Sequence, residues 1–122
     1  MDPLFHVVLI SFQESVQETS REEVYNRYQT LAVDCGGREA GIIFFKVEKN
    51  LDPRKGAHLV EIAVFRDNEA LQQFRVHPKH KELTEILCRI ADWQVGDITS
   101  PLPTPVPLQP KDLDLLHFDS RN

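Results

Sequence analysis

The chemistry this chain could perform resides in its imidazoles and one phenol. His77 and His80 lie in Phe74-Arg75-Val76-His77-Pro78-Lys79-His80, and His6 and His58 each open an apolar run. Imidazole exchanges its proton near neutral pH, so such residues serve as general acids or bases, or as metal ligands. Tyr28 adds a hydroxyl that can hydrogen-bond an oxygen. His6, His58 and His80 are ligand types that zinc or nickel accepts. No carboxylate or thiol sits at supporting spacing, so neither a metal nor another cofactor is expected. His77, directly before Pro78, reads as a cap or turn residue that fixes a bend.

Each of these residues needs an element to hold it. Leu4 to Phe12 is nearly all apolar and reads as a strand covered on both faces. A helix follows from about Ser20 to Asp34, with Ser20 and Glu23 as a capping box and Val24, Tyr28, Leu31 and Ala32 on one face. Gly36-Gly37 ends it. Ala40 to Val47 is a second strand, Asn50 to Gly56 a loop, and Ala57 to Phe65 a third strand. Asp67 caps a short helix to Phe74. Pro78 lacks a backbone donor, so it interrupts that helix and starts a new one reaching about Ala91. His80, Leu83, Leu87 and Ile90 form one stripe of this second helix. Asp92 to Thr99 is the last strand.

The order β-α-β-β-α(α)-β is that of a ferredoxin-like α+β protomer, a four-stranded sheet with helices on one face. The expectation is that the first and third strands are central, adjacent and parallel. His6-x-Val8-x-Ile10-x-Phe12 and His58-x-Val60-x-Ile62-x-Val64 would then face the helices in matching register. This brings His6, His58, His80 and Tyr28 to one space, lined by Val8, Ile10, Val60, Ile62, Phe74 and Leu83. Burying several imidazoles without partners is costly, which favours a functional site there. The other face would carry Phe5, Val7, Leu9, Leu59, Ala63 and Phe65. An apolar patch of that kind needs a cover, most simply a second copy in a two-fold homodimer, with Glu61 paired across the interface.

Bulk properties narrow the partners. The length suits one domain with its own core. With 41% hydrophobic and 27% charged residues the chain is ordinary for a globular protein. The net charge is −5 and no basic run exists, which argues against nucleic acid. No apolar run approaches ~20 residues and no signal peptide is recognisable, so no membrane partner is expected. Cys35 and Cys88 lack metal-ligand spacing and read as free thiols of a cytoplasmic protein. From about Ser100 a Pro-rich arm begins with Pro101, Pro103, Pro105, Pro107 and Pro110. It ends in Leu113, Leu115, Leu116 and Phe118, and reads as a docking segment for the partner subunit or the pocket mouth. Residues 1–99 and 100–122 are thus separate units.

Three stretches carry a resemblance: Phe5-His6-Val7-Val8-Leu9-Ile10-Ser11-Phe12, His58-Leu59-Val60-Glu61-Ile62-Ala63-Val64-Phe65, and Ala70-Leu71-Gln72-Gln73-Phe74-Arg75-Val76-His77-Pro78-Lys79-His80. With the terminal Trp93-Gln94-Val95-Gly96-Asp97-Ile98, they resemble the stress-responsive A/B barrel (Dabb) family of the dimeric α+β barrel superfamily, over roughly residues 4–99. The resemblance implies protomers whose sheets pair face to face into a barrel. Family members include a plant polyketide cyclase, hydroxynitrile lyase-like enzymes and heat-stable oligomers without a known reaction. In the cyclase-like members the second histidine of His-Pro-x-His, here His80, acts as the base. The tyrosine that assists it stands at the position of Phe74, which has no hydroxyl. Tyr28, His6 and His58 match pocket positions. The implied protein binds a small hydrophobic or aromatic molecule. One alternative is a cofactor-free cyclase or lyase in which His80 abstracts a proton beside a carbonyl while His6, His58 or Tyr28 hydrogen-bonds the oxygen. A cofactor-free monooxygenase and a non-catalytic structural or stress protein are the others.

Overall fold

The computed structural model describes residues 2–103 and 106–112, which contain four strands and three α-helices. The strands are β1 (Leu4–Phe12), β2 (Ile42–Lys49), β3 (Leu59–Phe65) and β4 (Ala91–Thr99). The helices are α1 (Glu18–Asp34), α2 (Asn68–Val76) and α3 (Pro78–Ile90). The sheet order is β2-β3-β1-β4 and every pairing is antiparallel.

The antiparallel pairing of β1 with β3 corrects the expected parallel one. Its cause is in the connections. Helix α1 carries the chain back so that β2 runs with β1, and the short link from β2 then reverses β3 against both. Leu4 therefore faces Phe65, and Ile10 faces Leu59. His6 lies opposite Ala63, while His58 reaches the far end of β1, where its amide donates to the Ile10 carbonyl (2.7 Å). The two imidazoles stand at opposite ends of the central strands.

The faces of β3 are also exchanged relative to expectation. Leu59, Glu61, Ala63 and Phe65 are buried under the helices with Leu4, His6, Val8, Ile10 and Phe12 of β1. Val60, Ile62 and Val64 lie on the open face with Phe5, Val7 and Leu9. Glu61 is consequently no interface carboxylate: it is 3% exposed and sits beneath the helices.

The helices form for the expected reasons, with one difference. Asp67 accepts from the Ala70 amide (2.8 Å), supplying an orphan donor of α2 with its acceptor. His77 ends α2 and caps α3, its Nδ1 accepting from the Lys79 amide (3.1 Å), and Pro78 fits the first turn because no donor is needed there. Helix α1 begins two residues before Ser20, at Glu18. Gln17 is the cap and makes no side-chain hydrogen bond, so Ser20 and Glu23 form no capping box. Arg21 anchors this end instead, donating to the carbonyls of Val16 (3.1 Å) and Gln13 (3.2 Å). The core joins Val24, Tyr28 and Leu31 of α1, Leu71 and Phe74 of α2, and Leu83 and Leu87 of α3 to the helix-facing side of the sheet. Gly41, at φ 85°, starts β2 so closely under α2 that an added Cβ would lie 2.7 Å from that of Ala70.

Strand β4 is an edge on which only Ala91 is buried, because the helices cover β2, β3 and β1 more fully. Residues 101–103 and 106–111 of the arm are exposed. Leu113, Leu115, Leu116 and Phe118 fall outside the described residues.

Candidate functional site

The uncovered margin between β4 and α3 is a cavity of about 390 Å³. Its floor is His6 and Val8 of β1, Glu61 of β3, and Trp93 and Val95 of β4. Arg75 at the end of α2, and His80, Lys81, Thr84, Glu85 and Leu87 of α3, form the opposite wall, and Tyr28 of α1 closes the inner side. This volume lies within the range of small-molecule sites.

The histidine expected at the centre of the site is there. His80 points from α3 into the cavity, its ring edge against Phe74 with centroids 4.6 Å apart and its Nδ1 3.4 Å from Thr84 Oγ1. Burial pushes its pKa down to about 4, partly opposed by the nearby Arg75 carbonyl and reinforced by positive charge on His6 and Arg75. At neutral pH it is an uncharged imidazole with proton-accepting capacity.

His6 has the opposite environment. Register places it beside Asp97 of β4, and its Nδ1 donates to Asp97 Oδ1 at 2.5 Å. Its Nε2 is 3.2 Å from Glu61 Oε2. Asp97 Oδ2 in turn accepts from Arg75 Nη2 (3.3 Å). Burial alone would lower the His6 pKa, but the close carboxylate of Glu61 and the hydrogen bond to Asp97 outweigh it, so the pKa is raised. With both ring nitrogens protonated, Glu61, His6, Asp97 and Arg75 alternate in sign and sum to zero charge. The contact between Glu61 and His6 is an ion pair rather than a directed hydrogen bond: at 3.2 Å the groups are close enough, yet Oε2 has no hydrogen-bond partner among the described residues.

Tyr28 is buried, and its pKa is raised well above the ordinary value, by loss of solvation first and by the Glu61 charge second. It therefore remains a hydroxyl donor at any physiological pH.

His58 is not part of this site. Its Nδ1 accepts from the Phe12 amide (2.9 Å) and its ring packs on Phe12 at 5.7 Å, so it satisfies the end of β1. Burial and the positive charge of Arg21 lower its pKa. Of the apolar residues expected to line the pocket, Val8 does so. Ile10, Phe74 and Leu83 are core residues behind the wall, while Val60 and Ile62 face away on the open side of the sheet. Glu61, Arg75, Lys81, Thr84, Glu85, Leu87, Trp93 and Val95 line the cavity without having been expected there, and neither was Asp97 as the partner of His6. The signal for Asp97, Val95 and Trp93 was present in their period-2 spacing along β4, which places them on one face. Among the described residues, no group of three His, Cys, Asp or Glu could hold a metal ion. Nor is any described helix long and apolar enough to cross a membrane.

An antiparallel ferredoxin-like sheet with a cavity between β4 and the last long helix defines an α+β barrel-type domain. The stress responsive A/B barrel domain family matches residues 4–100, and the chain belongs to that family. No curated protein matches the chain by sequence. Several solved structures share its fold. A dimeric ferredoxin-like protein of unknown function from Thermobifida fusca is 14% identical, with a TM-score of 0.70 over 81% of this chain and 92% of that one. A hydroxynitrile lyase from Passiflora edulis is 13% identical, with a TM-score of 0.69 over 85% and 98%. SnoaB, a cofactor-independent oxygenase from Streptomyces nogalater, is 18% identical, with a TM-score of 0.66 over 87% and 100%.

Proposed function

We propose that this protein is a homodimer in which each protomer binds a small, largely apolar molecule between β4 and α3. The observation that carries the reading is the cavity of about 390 Å³ left open beside His80. Phe74 packs behind His80 rather than filling that space. Val8, Leu87, Trp93 and Val95 offer apolar contact, and the buried polar groups are His6, Glu61 and Tyr28, an arrangement suited to a molecule with one functional end. Val7, Leu9, Phe44, Ile62 and Ile98 are more than a third exposed on the open sheet face. A second copy is the cover this face fits, as in the dimeric structures that share the fold. Residues 1–99 would form the binding domain and 100–122 an accessory arm. The free thiols of Cys35 and Cys88 suit a reducing cytoplasm.

A second reading is cofactor-free catalysis, supported by the neutral His80 imidazole facing the cavity. His80 would take a proton from a carbon beside a carbonyl, and His6 or Tyr28 would hydrogen-bond the oxygen as charge develops. A hydroxynitrile lyase and a cofactor-independent oxygenase on the same fold fit such a role. A pKa of about 4 makes His80 a weak base, and Phe74 offers no hydroxyl, so binding stands first.

Calorimetric titration with aromatic and polyketide-like ligands, on the native protein and on His80→Ala, tests both readings. Binding weakened by the substitution supports the site, and turnover lost with it supports catalysis. Unchanged binding and turnover in His80→Ala would sink the assignment.

A further inference from the structure

Glu61 does more than balance His6. A carboxylate that is 3% exposed is costly unless its lone pairs find donors. Here Oε2 has no hydrogen-bond partner among the described residues, and the side chain lines the cavity. His6, its one close cation, is already committed through Nδ1 to Asp97 and meets Glu61 only as an off-line ion pair. The carboxylate thus retains accepting capacity at a buried point of a cavity to which Val8, Leu87, Trp93 and Val95 lend apolar wall.

We infer that Glu61 is the specificity-determining anchor of the cavity and accepts a hydrogen bond from a hydroxyl on the inserted end of the ligand. The inference rests on the cavity being a ligand site, as proposed above. One observation favours a neutral hydroxyl over an ammonium group. The Glu61, His6, Asp97 and Arg75 set is already neutral when His6 is protonated, so a buried cation would go uncompensated. Tyr28 also lines the cavity, and its hydroxyl can donate to a ligand hydroxyl that itself donates to Glu61. The ligand class is therefore an aromatic or aliphatic molecule with a phenolic, enolic or alcoholic hydroxyl at its buried end.

The test is a matched set of probes titrated by calorimetry into the full-length protein: 4-propylphenol, its methyl ether, and 4-propylbenzylamine. A hydrogen bond to a charged acceptor makes the phenol bind about ten- to hundredfold more tightly than the ether in the native protein. In Glu61→Gln that ratio should shrink by at least about tenfold while the ether's affinity is retained. Thermal unfolding of each variant confirms that it is folded. If Glu61→Gln does not fold, Glu61→Asp, which keeps the charge and withdraws it by one methylene, is read for the same loss of ratio. Equal binding of phenol and ether, or an undiminished ratio in the folded variant, overturns the role of Glu61 while leaving the cavity as a ligand site. Preference for the amine overturns the choice of a hydroxyl. Failure of all three probes to bind the native protein removes the cavity reading, and the role of Glu61 with it.

Discussion

The low pKa of His80 makes a stability prediction that needs no ligand. His80 has a folded pKa of about 4 against an ordinary 6.5, a drop of about 2.5. Each tenfold change in proton affinity is worth about 1.4 kcal/mol, giving about 3.5 kcal/mol at full effect. The ring is only half-buried beside an open cavity, so solvent screening reduces this to about 2 kcal/mol. The sign follows from which state binds more protons. Below pH 6.5 the unfolded chain protonates His80 and the folded one does not, so stability is present above 6.5 and lost as pH falls towards 4. Urea unfolding at fixed protomer concentration between pH 4 and pH 8 measures it. The native protein should lose about 2 kcal/mol more than His80→Gln across pH 7 to 4. The carboxylates that titrate in the same range are common to both proteins and cancel in the difference. Parallel profiles for the two would refute the reasoning.

Other expectations follow from the same geometry. Asp97→Asn removes one of the two carboxylates that hold the His6 proton, and NMR titration of the imidazole should show its midpoint falling. Because the raised His6 pKa gives stability that is complete below pH 6.5 and lost as pH rises through the folded value, that loss above pH 6.5 should shrink in the variant. Asp67→Ala leaves the Ala70 amide without its acceptor and should cost about 1 kcal/mol in chemical unfolding. Gly41→Ala combines a left-handed backbone with a Cβ 2.7 Å from that of Ala70, and should lower stability by about 1–3 kcal/mol. Ile62→Glu on the open sheet face should shift sedimentation towards monomer.

The element order and the helix joint at His77-Pro78 were legible in the sequence, because caps, prolines and helical stripes are local signals. The expected ferredoxin-like architecture is the one observed, and His80, His6, Tyr28 and Val8 do meet at one cavity. The facing of β3 was not legible. Leu59-Val60-Glu61-Ile62-Ala63-Val64-Phe65 is apolar on both sides, so periodicity cannot say which side is inward. Matching His58 to His6 by pattern chose the wrong side. The strand's direction could have been deduced from its connections alone, and with it the separation of the two histidines. Glu61 was singled out as the odd residue on its strand, but its partner His6 belongs to another strand and is set by register, a non-local property. The same is true of Asp97.

Strand β4 has a consequence for how such a protein can change. Its cavity-lining residues Trp93 and Val95 are set on a margin where only Ala91 is buried. Stability resides mainly in Ile10, Phe65, Leu71, Val24 and Val47, all fully buried on other elements. The part of the cavity wall that β4 supplies and the folding core therefore lie on different parts of the chain. Replacements at Trp93 and Val95 can reshape the cavity wall at little cost to the core, so if the cavity binds as proposed, this strand is the natural place for one scaffold to diversify its ligands.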